Sequence, residues 1–324
     1  KCLEHGKSVV TSNKLLVSTK GEELFAAAKA HNAAFRFGAA VCGGVPVIRT
    51  MFYGMAANEL KGFTGILNGT TNFILTKMFT EQMSYADALK LAQSNGYAEK
   101  DPTDDIEGFD AARKTAILCS VCTGAHVYPD LIHTEGVTAV TAADAEYARG
   151  LNRKIKLLCF GKKQPDGSLK AGVAPALLSC RDPLSDADGV VNAVRLTGSN
   201  VGDIMLFGHG AGRYATASAV VADLMNTVRC PGFDAAYYWE KSAGTAVSYL
   251  EGETLRLYVR GLAADKNAAA ERITRSLPGA EILSRENAPE NELAFVTPPG
   301  QYETLIFALN GIEGFKAEVA FRCV

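Results

Sequence analysis

The chain has 324 residues, 48% of them hydrophobic and 21% charged, with a formal net charge of −2. That length allows two or three domains with a sizeable core, and the near-neutral balance gives no electrostatic footprint for nucleic acid or an anionic membrane surface. No stretch reaches the roughly 20 uninterrupted apolar residues of a membrane helix, and no charged n-region and apolar h-region open the chain, so no secretion signal is read.

In chain order, "KCLEHG" reads as the last turns of a helix with Gly6 as its stop, and "KSVVTS" as a buried strand. A helix followed at once by a strand, with Lys rather than Met at position 1, leads us to expect further sequence upstream. Residues 20–32 predict an amphipathic helix and 33–41 a strand. Strand, helix and strand from Val9 to Val41 make one βαβ-like unit with parallel pairing. Gly43, Gly44 and Pro46 mark a boundary. Residues 63–78 pass from strand through loop to helix. Ser84 is a good N-cap for the next helix, and Gly96 supplies its stop. The acidic run "YAEKDPTDDIEGFDAARK" (97–114) follows and flows into apolar "TAILCSVC". Beyond it we expect a helix at 142–150 and strands at 154–161, 170–179 and 189–198, with "QPDGS" as a hairpin turn. A strand, a glycine loop and a long helix fill 200–228. From 254 to 324 the order is β-α-β-β-α-β, the ferredoxin-like split βαβ unit.

The eight cysteines are scattered, which is no disulfide framework in a chain of this size. Cys119 and Cys122 form a C-x-x-C inside an apolar helical run, with no second pair nearby. They read as small core hydrophobes. The whole describes a reduced, cytoplasmic, globular protein.

The acidic run carries the chemistry. Asp110 and Lys114, spaced i,i+4, share one helix face within a turn of its start. Glu99 and Asp105 precede that helix, near the positive end of its dipole. Acids there suit a small polar substrate with an ammonium group, and a lysine beside apolar "TAILCSVC" is placed to move a proton. Spacing alone also fits a solvated helix start with an intrahelical ion pair worth about 0.3–0.5 kcal/mol. "GHGAG" (208–212) before a helix is a cradle for an anion or cofactor, or an ordinary turn. "LNGTT" offers Asn68 and Thr70 as polar loop residues.

"AQSNGYAEKDPTDDIEGFDAARK" closely resembles the signature of homoserine dehydrogenases, with Ala92, Gly96, Tyr97, Asp101, Pro102, Asp105, Gly108, Asp110 and Lys114 in register. "GKSVVTSNK" (6–14), "GILNGTTNFIL" (65–75) and "GDIMLFGHGAGRYATASAVVADL" (202–224) resemble the same family in the same order. The fold this implies is α/β: residues 1–45 as the C-terminal part of a Rossmann dinucleotide-binding domain, and 46–230 as a catalytic and dimerisation domain. The helix at 211–228 would pack back on the nucleotide domain, and 250–324 would form an ACT-like domain. The activity implied is NAD(P)-dependent interconversion of L-homoserine and L-aspartate 4-semialdehyde, on the route to threonine and methionine, by a cytoplasmic homodimer or homotetramer.

By position, Lys114 and Lys14 match the family's active-site lysines. Glu99, Asp110, Asp105 and Tyr97 match its substrate-binding residues. Asn13, Lys14, Asn68, Gly69, Thr70, Gly210 and Gly212 fall beside the NADP or NAD. A monovalent cation (Na+) would use the carbonyls of Val41, Gly43 and Val45. The pattern also departs from the family: G-x-G-x-x-G is absent, and Gly38 stands where the metal loop has an acid. A second reading is therefore a non-catalytic dimerising and regulatory module.

Overall fold

The computed structural model describes residues 1–324. A single 3-10 turn, Leu3–His5, is stopped by Gly6 at φ 66°. Strand β1 (Val9–Val10) then leads through helix α1 (Lys14–Ala30) to β2 (Phe35–Arg36), and the two strands pair in parallel, Val9 opposite Phe35. This is the expected βαβ-like unit, with two differences. The helix begins well before residue 20, because the Asn13 side chain caps it by accepting the Leu16 N–H at 3.0 Å. The strand predicted over 33–41 stops after Arg36, and Gly38–Ala40 forms a 3-10 turn. There the Gly38 N–H donates to the Asp223 carboxylate at 2.7 Å instead of to a neighbouring strand.

A short helix α2 (Val47–Arg49) runs into a π turn, Thr50–Gly54. Strand β3 (Leu60–Ile66), helices α3 (Gly69–Thr80) and α4 (Tyr85–Ser94), the single turn α5 (Thr103–Ile106) and helix α6 (Phe109–Thr123) follow. Asp105 thus lies in a turn of its own, separated from α6 by Gly108 at φ 84°. Ser84 caps α4 through the Asp87 N–H, and Gly96 ends that segment at φ 73°. Next come β4 (His133–Thr134), α7 (Ala142–Gly150), β5 (Arg153–Lys163), β6 (Leu169–Ser179), β7 (Val191–Gly198), β8 (Gly202–His209) and α8 (Arg213–Arg229). β5 and β6 form the expected hairpin, its turn closed by the Gln164 N–H donating to Ser168 O at 2.9 Å.

The last third comprises β9 (Val247–Ser248), β10 (Thr254–Ala263), α9 (Lys266–Ser276), β11 (Glu281–Leu283), β12 (Glu292–Val296), β13 (Gly300–Gln301), α10 (Tyr302–Asn310) and β14 (Phe315–Cys323). The sheet runs β11-β12-β10-β14-β6-β5-β3-β7-β8. Its first four strands have the neighbour order of the ferredoxin-like unit, and the end of β14 continues the sheet by running parallel to β6. The unit has its own core of 12 buried residues beside the main core of 54, so two packing units share one sheet. Helices α3, α6 and α7 pack against β5.

Cys119 and Cys122 are buried in α6, and burial pushes the Cys122 thiol up to about 12, far from the thiolate that metal or redox chemistry needs. Helix α8 packs on the Gly38–Ala40 turn and β1. Of its residues only Asp223 is buried, and Tyr214, Val221, Leu224, Met225 and Val228 are exposed.

Candidate active site

The site begins with α6. Gly108, in a conformation that glycine adopts at little cost, swings the chain so that the first turn of α6 faces inward, with Asp110 only 2% exposed. Its two carboxylate oxygens serve different partners. Lys14 Nζ lies 2.5 Å from Oδ1 and Lys114 Nζ 2.6 Å from Oδ2. The first lysine comes from the start of α1 and the second from the next turn of α6, so one carboxylate ties the βαβ unit to the central domain. Lys114 also donates to the Leu67 carbonyl at 2.8 Å.

Asn68 completes the cluster. Its Nδ2 donates to Asp105 Oδ1 at 2.7 Å and to Asp110 Oδ2 at 2.9 Å, while its Oδ1 accepts the Thr71 N–H and caps α3. The cap also orients the amide: with its oxygen facing the helix, its nitrogen must face the two acids.

The electrostatics follow from these contacts. Burial pushes the Asp110 carboxyl up, but Lys114 and Lys14 outweigh it and hold it well below the usual carboxylate range. Burial pushes Lys114 down, yet Asp110 outweighs that and leaves it above its ordinary value. Asp105 is shifted up, first by burial and also by Asp110, with Asn68 opposing. Lys114 therefore stays cationic at neutral pH and acts as a donor.

These groups open onto a cavity of about 360 Å³, within the size range of small-molecule sites. Of the residues singled out from sequence, Lys14, Asn68, Gly69, Thr70, Tyr97, Glu99, Asp105, Asp110, Lys114 and Gly212 line it. Asn13 and Gly210 do not. Asn13 is occupied in capping α1. Gly210 lies against Asn192, whose Oδ1 would be 1.6 Å from any added Cβ. Gly96, read from sequence as a helix stop, and Ala211 of the glycine loop also line the cavity, and Val190, which sequence reading missed, completes the lining. Sequence reading also missed Asn192, which is buried, donates to Ile66 O at 2.9 Å and backs the glycine loop. The stretch 189–198 reads as a strand, but nothing in it marks Val190 or Asn192 as neighbours of the site.

Val41, Gly43 and Val45 lie apart from this cavity, in the loop after the Gly38 turn. Beside Gly38 the nearby carboxylate is that of Asp223, which accepts the Gly38 N–H and pairs with Arg49 at 3.4 Å. With no side-chain ligand at residue 38 and a guanidinium already on the neighbouring acid, this donor set does not fit a cation.

The sequence profile of homoserine dehydrogenase matches residues 46–225, more than half the chain. The chain belongs to the homoserine dehydrogenase family. It is 42% identical to the homoserine dehydrogenase of Neisseria gonorrhoeae over 237 residues, covering 73% of this chain and 54% of that protein. It is 43% identical to that of Pseudomonas aeruginosa, over 71% of this chain and 52% of that one. The chain thus spans about half the length of these relatives. Among solved structures, a homoserine dehydrogenase from Thiobacillus denitrificans superimposes with a TM-score of 0.87 at 34% identity, covering 99% of this chain and 77% of that one. A hyperthermophilic archaeal homoserine dehydrogenase in complex with NADPH superimposes at 0.61 with 33% identity, over 71% of this chain and 67% of that one. The mixed α/β architecture read from sequence is the architecture that this family shares.

Proposed function

We propose that this chain carries the substrate-binding and proton-transfer site of an NAD(P)-dependent interconversion of L-homoserine and L-aspartate 4-semialdehyde. The observation that carries the reading is the buried Asp110 shared by Lys14 and Lys114 at the wall of a polar cavity. In the reducing direction the aldehyde oxygen gathers negative charge and needs a proton. An ammonium has three N–H donors, of which Lys114 uses one on Leu67 O and one on Asp110. A third is left for the substrate oxygen, and Lys14, more exposed, has two. Asp110 aims both amines and favours the charged form of Lys114, which is how a general acid must wait for its substrate.

Glu99 and Asp105, with Tyr97 beside them, are the groups for the substrate ammonium. Hydride transfer is the chemistry that a nicotinamide cofactor, NADP or NAD, supplies when bound. Gly69, Thr70 and the Gly210–Gly212 loop would hold its nicotinamide end, close to Asn13 and Lys14. These residues offer no G-x-G-x-x-G cradle for its diphosphate. The archaeal neighbour seen with NADPH supports the choice of cofactor class. On the same reading the C-terminal ferredoxin-like unit is an ACT-like module, the assembly a homodimer or homotetramer, and the pathway that of threonine and methionine.

Calorimetric titration of L-homoserine into the chain, alone and with NADPH present, tests the assignment. Saturable binding is expected, weakened about tenfold or more in Glu99→Gln. A folded chain that binds no homoserine under either condition overturns it.

A further inference from the structure

On the other face of the sheet lies a second cavity, of about 220 Å³. An added Cβ at Gly161 would meet Cys119 of α6 at 2.8 Å. By strand alternation the neighbouring Phe160 and Lys162 therefore point away from the helices. The cavity is closed by β6, by residues 250–255 and by the end of β14, so it sits where the ferredoxin-like unit joins the main sheet. It shares no lining residue with the active-site cavity.

The charge here is out of balance. Lys162 and Lys170 share one acid, Glu253, at 3.3 and 2.8 Å. Arg322 enters the same cavity from β14. Its guanidinium lies over the Phe160 ring at 4.1 Å, and its Nε is buried without a hydrogen-bond partner. No carboxylate pairs with it, whereas the buried Arg36 and Arg260 are matched by Asp234 and Asp144. The main-chain oxygen of Val324, also at the cavity, is taken by Arg153. Three cations against one carboxylate leave an excess of two positive charges. Lys162 is largely solvated, but Arg322, with its Nε buried and unpaired, calls for a counter-charge, and a guanidinium fork is the shape that receives a carboxylate by two hydrogen bonds.

We propose that this seam cavity binds a small aliphatic dicarboxylate. One carboxylate sits on Arg322, the other by Lys162 and Lys170, and the methylenes lie against Phe160 and Leu255.

Calorimetry of glutarate into the full chain tests it, with isovalerate as the single-carboxylate probe and inorganic phosphate as the oxyanion probe, all at matched ionic strength. One glutarate per chain is expected, bound more tightly than isovalerate or phosphate. Affinity should fall about tenfold or more in Arg322→Met and in Lys162→Met, and be unchanged in Lys114→Met. The Lys162 side chain is 60% exposed, so that variant tests the site even if Arg322→Met fails to fold. Glutarate affinity unchanged in Lys162→Met overturns the proposal, as does the absence of glutarate binding. Phosphate binding as tightly as glutarate would reassign the cavity to inorganic oxyanions. Loss of glutarate binding in Lys114→Met would move the ligand to the active-site cavity.

Discussion

Asp110 costs the fold the burial of a carboxylate and receives two ammonium groups in exchange. On the proposed function, removing Lys114 takes away a proton donor and leaves Asp110 still held by Lys14 and Asn68. Lys114→Met is therefore expected to lower kcat for semialdehyde reduction by about 10²–10⁴-fold while the chain stays folded. Steady-state NADPH oxidation beside a circular dichroism melt checks both halves. A rate close to wild type would assign the proton to Lys14. Asp105 behaves in the opposite sense. Its carboxyl is raised in the fold, chiefly by burial, so the folded state holds that proton more tightly than the unfolded chain does. Stability from this group is greatest below the unfolded carboxyl value of about 3.9 and falls as pH rises through the folded one. Asp105→Asn, which keeps an oxygen for the Asn68 amide, should thus be more stable than wild type at pH 7 and equal to it below about pH 4. Urea midpoints at the two pH values measure this. A variant less stable at pH 7 would mean that the ionised Asp105 is favoured in the fold. The same variant should bind homoserine less well, the usual exchange of stability for function.

At the scale of elements, local chemistry was readable and long-range chemistry was not. Ser84, Gly96 and the "QPDGS" turn act through neighbours within a few residues, and each sits where the sequence places it. The ferredoxin-like order was readable because strand and helix periodicities alternate cleanly after residue 254. The strand over 33–41 was overestimated because the Gly38 N–H finds Asp223, distant in sequence. The early start of α1 was missed because Asn13, next to the strand read over "KSVVTS", was not recognised as a cap. In the site, the Asp110–Lys114 spacing was visible, but Lys14 on Asp110 and Asn68 bridging two acids are products of tertiary folding. Gly210 shows the difference well. As sequence it was a flexible residue of a cradle, whereas in the structure the absence of a side chain lets the loop approach Asn192. Gly210→Ala would force Asn192 off its bond to Ile66 O and push the loop outward, a loss of about 1–3 kcal/mol by overpacking. A urea titration measures that loss. An unchanged midpoint would mean that Asn192 turns aside freely.

For the whole molecule the question is what joins two cores through one sheet. The β14–β6 pairing spans only Arg322–Cys323, too little to hold a domain. The stronger weld is at Asp144, near the start of α7 and fully buried. Its carboxylate accepts from Arg260 Nε at 2.7 Å and Nη2 at 3.1 Å and from the Tyr258 hydroxyl at 2.8 Å, all on β10. It also accepts the Thr141 N–H at 2.8 Å, completing a capping box. Arg260 turns its remaining nitrogen to Glu318 of β14. One acid thus caps a helix of the large unit and neutralises a buried cation of the small one. Asp144→Ala removes both, leaving Arg260 with a single, partly exposed partner. Breaking a buried pair from one side costs about 3–5 kcal/mol, and the lost cap about 1 kcal/mol more. Since the C-terminal unit has its own core, the loss should show first as faster amide exchange in β10 and β14, ahead of β5 and β6. Hydrogen exchange by mass spectrometry on Asp144→Ala reads this directly. Equal acceleration in both units would mean that they unfold as one body. No acceleration in either would mean that apolar packing of Tyr258 and Phe321 against the main core holds the seam without the ion pair.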